Sequence, residues 1–392
     1  MTKSGHRRAI FAVRLMRLGL CAFVLGLTIL PVRAARVYPN GLPTDPGFFP
    51  IGVWTQSPSL APAYAAIGIN TYVGLWDGPT EEQLDQLAKH QMHVLALQNE
   101  IALHSPHGDM IRGWTLPDEP DNAQPLGPDK WGPCIPAATV AQMTRDLKKT
   151  DPTRPVYLGF GRGVADTGWV GRGSCTGDTA YYDRAIAGAD ILAFDIYPVA
   201  NSVEHQGRLD YVGIGTANLK RRAAPDQSVW TVIETTSIQS HNRVTPEQLK
   251  DEVWMALIHG ARGIVYFVSE WTGGYREDAV FRYPEIVAAA RSIDATIAQL
   301  APVLNSPDVP GKVAVASMAP LATMVKQQGA TTYLFAIAMN NVADNVAFAV
   351  KGFGNGTATV IGENRTIRIV DGWFKDDFAG YATHAYAITA AP

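Results

Sequence analysis

The chain contains 392 residues, 47% of them hydrophobic and 18% charged, and carries a formal net charge of −3. This is the composition of a globular protein, and the length suits one α/β domain of about 250–300 residues with a smaller second domain. The sequence has no block of Lys and Arg outside its N-terminus, which excludes an electrostatic basis for binding nucleic acid.

Residues 1–35 have the pattern of a signal peptide. A basic segment that includes Lys3 and Arg14 precedes the apolar run Leu18–Leu30, and Val32-Arg33-Ala34 supplies small residues for cleavage. The apolar run is shorter than the about 20 residues that span a bilayer comfortably. We therefore expect an exported protein, periplasmic or extracellular, whose mature chain has no membrane segment. An uncleaved anchor is the alternative.

Two cysteines follow the predicted signal peptide, Cys134 and Cys175, and both lie in loops rich in glycine. An exported protein meets oxidising conditions, so we expect a Cys134–Cys175 disulfide, with two free buried thiols as the alternative. Neither cysteine has a His or another Cys at ligand spacing. No zinc site is therefore predicted, and the sequence indicates no cofactor.

From Phe48 to Leu300, apolar strands alternate with helices. The predicted strands cover 49–54, 69–76, 92–97, a segment from 111, 155–160, 191–197, 229–234 and 263–268. Near-continuous apolar runs such as Val229–Ile233 are typical of a sheet buried on both faces. Eight such units over about 250 residues predict an α/β fold, a (β/α)8 TIM barrel over 36–305. The competing fold is a doubly wound open sheet, which usually has a glycine-rich first turn that Gly52–Thr55 does not supply.

The predicted helices cover 59–67, a segment from 80, 137–149, 178–187, 209–222, 245–259 and 283–300. Ser59 and Thr245 are the expected N-caps of two of them, and Thr80 with Gln83 has the spacing of a capping box. After Pro310, short runs at 312–318, 331–339, 345–350, 357–361 and 379–388 are separated by Asn and Gly residues. This pattern predicts a small antiparallel β-sandwich domain over 306–392.

The active site of a TIM barrel is built at the C-terminal ends of its strands. In this chain those positions carry carboxylates and aromatic residues, with no Ser–His pairing and no cluster of His. They are Trp54, Trp76, Glu100, Asp118, Glu119, Asp195, Tyr197, Glu234, Glu270 and Trp271.

Cleavage of a glycosidic bond requires two carboxyl groups, one protonated to assist the leaving oxygen and one ionised to meet the developing oxocarbenium ion. Glu119 and Glu234 follow the fourth and seventh predicted strands, so we expect them to face each other across the barrel mouth.

Aromatic residues at the same strand ends suit a sugar substrate. The indole rings of Trp54, Trp76 and Trp271 offer flat apolar faces to the C–H faces of a sugar. Tyr197 is placed to donate to the nucleophilic carboxylate and to keep the pKa of that carboxylate low.

The pattern resembles the clan A retaining glycoside hydrolases. The resemblance consists of Glu119 followed by Pro120, Glu234 at the seventh strand end and Trp271 after the eighth strand. It implies that Glu119 is the acid/base and Glu234 the nucleophile. The segment Phe374–Tyr386 is similar to the last strands of the β-sandwich that often follows such barrels.

One position departs from the clan pattern. The clan has Asn before the acid/base Glu, whereas this chain has Asp118, which as a carboxylate only accepts hydrogen bonds. Recognition of the sugar 2-hydroxyl must therefore differ. Asp195, Glu100 and Glu270 are further acids, either sugar ligands or plain loop residues, and Glu270 is the chief rival to Glu234 as nucleophile.

The expected function is that of a secreted retaining glycoside hydrolase, which cleaves a β-linked oligo- or polysaccharide by double displacement with two glutamates. The alternative is a barrel that lost turnover and binds carbohydrate or assists assembly of envelope polysaccharide, because a fold alone does not specify function.

Overall fold

The computed structural model describes residues 36–128, 130–168, 178–201, 207–238 and 240–391. The predicted signal peptide and Cys175 lie outside these residues, so export and the Cys134–Cys175 disulfide stay predictions.

Eight parallel strands close into a barrel, because the first strand pairs with the last one as well as with the second. The barrel strands are β1 (Ile51–Trp54), β2 (Thr71–Val73), β3 (His93–Ala96), β4 (Ile111–Thr115), β7 (Val156–Phe160), β8 (Ile191–Asp195), β9 (Ser228–Glu234) and β10 (Ile264–Phe267). A short hairpin of β5 (Pro125–Gly127) and β6 (Lys130–Trp131) is inserted between β4 and β7. The predicted TIM barrel is confirmed, and the closed ring excludes the doubly wound alternative.

Helices connect the barrel strands. They are α1 (Ala61–Ala65), α2 (Glu81–Lys89), α3 (Glu100–His104), α4 (Ala137–Thr150), α5 (Ala180–Ala185), α6 (Asp210–Arg222), α7 (Pro246–Ile258) and α8 (Pro284–Leu304). The capping box of Thr80 and Gln83 is confirmed, and Thr245 forms a second one with Gln248. The expected N-cap role of Ser59 is wrong, since Ser59 lies inside the 3₁₀ turn Pro58–Leu60 that precedes α1.

The barrel has two apolar layers. One fills the space between the strands and the surrounding helices. The other fills the interior of the barrel and consists of Val73, Leu95, Tyr157, Ile191, Ala193, Trp230, Val232, Val265, Phe267 and neighbours. Helix α8 is long and apolar enough to cross a membrane by length and composition, but Ile286, Ile293 and Ile297 bury its apolar face in the outer layer, as in the core helix of a barrel.

Two antiparallel sheets follow α8 and enclose a second apolar cluster. Their strands are β11 (Val313–Ala316), β12 (Leu321–Gln328), β13 (Thr331–Ala338), β14 (Asp344–Val350), β15 (Gly356–Val360), β16 (Arg365–Ile369), β17 (Trp373–Phe378) and β18 (Thr383–Ala390). The three-stranded sheet has the order β11-β14-β17, and the five-stranded sheet has the order β12-β13-β18-β15-β16. β12 and β16 are not apparent from the sequence pattern because polar residues such as Lys326 and Arg368 interrupt them.

Helix α7 joins the barrel to the five-stranded sheet. Trp254 stacks on Phe335 of β13, with ring centroids 5.3 Å apart and planes 17° apart. On the same helix, Asp251 accepts a hydrogen bond of 3.0 Å from the hydroxyl of Thr383 in β18. The N-terminal capping of α7 therefore affects both the barrel and the sheets.

We predict that Thr245→Ala lowers the free energy of unfolding by about 1 kcal/mol, because it removes the acceptor of the Gln248 N–H at the start of α7. Thr296→Ala is the matched control, since its hydroxyl only bonds back to the Ser292 carbonyl within α8. It should change stability by less than about 0.5 kcal/mol. Denaturant unfolding measures both, and equal losses in the two variants would contradict the capping role.

Candidate active site

The loop after β4 presents Asp118 and Glu119 at the C-terminal mouth of the barrel. Glu119 has a φ of +40°, a left-handed conformation that costs free energy for any residue with a Cβ. The turn that follows compensates for this conformation. The N–H of Asn122 and the side-chain amide of Gln124 both donate to the Glu119 carbonyl at 2.9 Å.

The Glu119 carboxylate is held in place by two features. The side-chain amide of Asn122 donates to its Oε2 at 2.8 Å. Its Oε1 lies 2.8 Å from the position that a Cβ on Gly161 would take, so the space that this oxygen occupies exists because residue 161 is glycine. Gly159, two residues earlier on the same face of β7, leaves similar room beside Tyr157 and Asp118.

Asp121 fixes this loop to the next barrel strand. Its carboxyl accepts hydrogen bonds from the Gly161 N–H at 2.9 Å and from the Tyr182 hydroxyl at 3.0 Å. Burial raises the pKa of Asp121 to about 7, although the Gly161 hydrogen bond opposes the shift. Asp121 thus holds the backbone on both sides of Glu119, and its carboxyl is itself out of reach of a ligand.

Asp195, the last residue of β8, meets Glu119. Burial of its carboxyl, together with the negative charges of Glu119 and Asp118, raises the pKa of Asp195 well above its ordinary value. Its carboxyl is therefore a close neighbour of Glu119, Asp118 and Tyr197. Three acids thus converge at the mouth, and the environment of Asp195 favours its protonated form.

The expected partner of Tyr197 is corrected by this arrangement. Its ring lies near Asp195, whose negative charge, after burial, raises the pKa of the Tyr197 hydroxyl, and Glu234 has no such effect on it. Asp195 itself has a raised pKa, because burial and the two neighbouring acids outweigh the opposing effect of the neutral phenol.

Glu234 does not face Glu119 across the mouth. Glu234 is the last residue of β9, and it is 0% exposed. Its two carboxyl oxygens accept hydrogen bonds from the N–H groups of Val199 and Ala200, at 2.8 and 2.6 Å. Its remaining neighbour is the carboxyl of Glu252 in α7. The expectation that the two glutamates converge on one sugar is therefore not met in this structure.

Glu270 and Glu100 are also placed away from the carboxyl cluster. Glu270 is buried and accepts a hydrogen bond from the Tyr283 hydroxyl at 3.0 Å. Glu100 begins α3, and its exposed carboxylate lies 3.7 Å from His104 one turn later. The first has the contacts of a structural acid and the second those of a surface ion pair.

A line of aromatic rings runs from the outer edge of the mouth to the carboxyl cluster. Trp76, Tyr275 and Trp271 are 49%, 49% and 46% exposed, with centroids 6.2 and 5.3 Å apart. Trp271 stacks on Phe267 at 5.5 Å, and Phe267 lies 5.2 Å from Tyr197, the neighbour of Asp195. Apolar faces and acids therefore occupy one continuous surface.

Trp54 completes the mouth from the end of β1. Its ring is partly buried and lies 6.5 Å from that of Tyr157, which forms the floor beneath Asp118 and Asp195. Tyr275, Gly159 and Gly161 are members of the site that the positions at the strand ends do not predict, and so are Asp121, Asn122 and Tyr157. The Gly159-Phe-Gly161 spacing at a strand end is the signal that points to the two glycines. Among the described residues, no group of His, Cys, Asp and Glu side chains has the arrangement of a metal site.

Solved structures with a similar fold are found, but their sequences are not similar to this one. Neither a protein-family model nor a curated protein matches the chain. Among solved structures, the chain is similar to a GH30 endoxylanase from Clostridium papyrosolvens C71, with 11% identity over 91% of this chain and 98% of that one, at a TM-score of 0.47.

Two further structures show the same level of likeness. An α-L-arabinofuranosidase from Thermotoga maritima is 11% identical over 88% of this chain and 97% of that one, at a TM-score of 0.49. An α-amylase from Geobacillus thermoleovorans is 10% identical over 91% and 100%, at 0.44. At these TM-scores the likeness carries no conclusion about activity, and the barrel is established by the pairing of this chain's own strands.

We predict that Gly161→Ala lowers kcat/KM for aryl glycosides, the substrates that the clan resemblance implies, by about tenfold or more. The backbone of Gly161 is extended (φ −80°, ψ −174°) and accepts alanine, so the effect comes from displacement of Glu119 by the added methyl group.

Gly159→Ala is the matched control, because its methyl group would meet Tyr157 at 3.3 Å and Asp118 only at 3.8 Å. It should stay within about threefold of wild type. A Gly161→Ala variant with full activity would show that the position of Glu119 is not important.

Proposed function

We propose that the protein is a glycoside hydrolase whose reacting groups are Asp195 and Glu119. The observation that carries the proposal is the convergence of Asp195 and Glu119, both partly exposed, at the barrel mouth next to exposed aromatic rings. Burial and the neighbouring acids raise the pKa of Asp195, which suits it to be the proton donor that glycosidic cleavage needs beside a second carboxyl group.

In the proposed reaction Asp195 is the general acid. Its proton passes to the glycosidic oxygen while a carboxylate oxygen of Glu119 attacks the anomeric carbon, so that a glycosyl ester forms as the glycosidic bond breaks. Asp195 then removes a proton from water, the water oxygen attacks the anomeric carbon, and Glu119 leaves as carboxylate. When the substrate binds, before these steps, the glycosidic oxygen takes the place of Glu119 as the acceptor of the Asp195 proton. The two carboxyl groups then lie about 5–5.5 Å apart, the separation found in a retaining pair.

This assignment keeps Glu119 from the clan resemblance but changes its role, and it replaces Glu234 by Asp195. Access supports the change. A nucleophile must touch the anomeric carbon, and Glu234 has no exposed surface, whereas Glu119 and Asp195 are both partly exposed. Asp118 is the exposed third acid and faces the same space, as a ligand for sugar hydroxyls.

The substrate we propose is a β-linked oligo- or polysaccharide, met outside the cytoplasm after export. The aromatic line supports a chain longer than one sugar, because its exposed members, Trp76 and Tyr275, lie further from the acids than Trp271 does. Each exposed ring offers an apolar face to a sugar ring.

The leaving group distinguishes the two roles. Asp195→Ala should lower kcat/KM by about a thousandfold for substrates with a poor leaving group, and by less than about tenfold for dinitrophenyl glycosides, whose departure needs no proton. Glu119→Ala should abolish turnover of both. These rates are measured on a panel of aryl glycosides and polysaccharides.

The pH profile gives a second measurement on the same proteins. Because the raised pKa of Asp195 keeps the acid form present above the ordinary range of aspartate, wild-type kcat/KM should fall only as the pH rises through that raised pKa. The alkaline fall should vanish in Asp195→Ala with dinitrophenyl substrates. Binding of polysaccharide without turnover by the wild-type protein would contradict the proposal and favour the non-catalytic barrel.

A further inference from the structure

Glu234 holds the backbone of the loop that follows the proposed general acid. Its carboxyl oxygens accept the consecutive N–H groups of Val199 and Ala200, one on each oxygen. Only three residues separate Val199 from Asp195, and Tyr197, a close neighbour of Asp195, lies between them. A displacement of Val199 is therefore passed directly to the Asp195–Tyr197 pair.

The same loop has two further hydrogen bonds, one from Ser240 in the segment after β9 and one within the loop itself. The Ser240 hydroxyl donates to the Ala200 carbonyl at 2.8 Å, and the Asn201 N–H donates to the Tyr197 carbonyl at 3.2 Å. Several hydrogen bonds therefore hold residues 197–201. Among those of the described residues, the two accepted by Glu234 involve a carboxyl group.

Glu252, on the buried face of α7, lies against Glu234. It is 0% exposed, and within the described part of the chain its oxygens have no hydrogen-bond donor, so the carboxyl of Glu234 is its polar neighbour. Two carboxylates cannot both remain ionised side by side in a buried place. Glu234 receives two N–H bonds, which favour its ionised form, so the proton belongs to Glu252.

We propose that Glu252 is a permanently protonated carboxyl which donates to Glu234, and that the two form a buried clamp that positions the Val199–Ala200 backbone and, through it, Asp195. Glu234 and Glu252 are then positioning residues and never touch the substrate. The catalytic part of this inference depends on the proposed function, whereas the clamp itself does not.

The clamp also has a pH dependence. The ionisable groups that face Glu252 are Glu234 from β9 and Asp251 beside it on α7, and both are acids. Burial, with these charges, raises the pKa of Glu252 in the folded protein, whereas an unfolded chain releases the same proton near pH 4.3. The stability contributed by the clamp is therefore present at low pH and declines as the pH rises from about 4.3 towards the raised pKa.

The test compares three substitutions at the clamp with Glu247→Gln, an exposed position one turn earlier on α7 that serves as the control. Glu252→Gln keeps an N–H donor for Glu234 and should retain kcat within about threefold of wild type. Glu252→Leu removes the donor and should lower kcat by about tenfold or more, with KM changed by less than about threefold.

Amide hydrogen exchange and melting measure the clamp without any substrate. In Glu252→Leu the amides of Val199 and Ala200 should exchange about tenfold faster or more, while those of β4 stay as in wild type. The melting temperature of Glu252→Gln should fall less than that of wild type between pH 4.5 and pH 7, because glutamine has no proton to release. Unchanged exchange in Glu252→Leu, or equal pH dependence in Glu252→Gln, would overturn the clamp.

Azide separates positioning from catalysis. A small anion that enters the space of a deleted nucleophile attacks the anomeric carbon and restores turnover as a glycosyl azide. Azide should rescue Glu119→Ala and fail to rescue Glu234→Ala. Rescue of Glu234→Ala would show that Glu234 contacts the sugar and would overturn the positioning role. If no glycoside is cleaved by wild type, the proposed function fails while exchange and melting still decide the clamp.

Discussion

Buried carboxyl groups that accept hydrogen bonds from neutral donors recur through the barrel and help to hold its loops. Asp121 is bonded by a tyrosine and a backbone amide, Asp251 by a threonine, and Asp294 by the hydroxyl of Tyr266 at 2.7 Å. Burial raises the pKa of these acids to about 7, 7 and 8. Burial likewise raises the pKa of Glu252 and of Asp195. Burial in the barrel thus favours the protonated form of several acids, which is the property that a general acid needs.

In the sheets after α8, a group of acids faces an arginine and a histidine. Arg365 binds Asp376 through two hydrogen bonds of 2.8 Å and also contacts Glu363, which faces His384. Burial alone would raise the pKa of Asp376, but the bonds from Arg365 and Tyr386 bring it below its ordinary value. The barrel acids therefore stabilise the fold less as the pH rises above the pKa that they have in the unfolded chain. The ion-pair network around Asp376 instead stabilises the fold less as the pH falls through its lowered pKa.

The sequence is sufficient to predict the barrel, because eight apolar strands alternate with helices whose starts carry recognisable caps such as Thr80 and Thr245. It also places Asp118, Glu119 and Asp195 at strand ends. It does not reveal which acids meet, because that depends on the direction of the last side chain of each strand. Glu234 is directed into the loop of its neighbouring strand, and Glu119 adopts a left-handed backbone that no spacing rule anticipates.

Helix α7 contacts three parts of the molecule through residues that are almost consecutive. Asp251 bonds β18, Glu252 faces the barrel carboxyl, and Trp254 stacks on β13. Cutting the chain after α8 would expose the indole of Trp254 and leave Asp251 without its hydroxyl partner. The sheets therefore support α7 from its outer side, and recombining this barrel with an unrelated C-terminal module would require a new partner for that side of the helix.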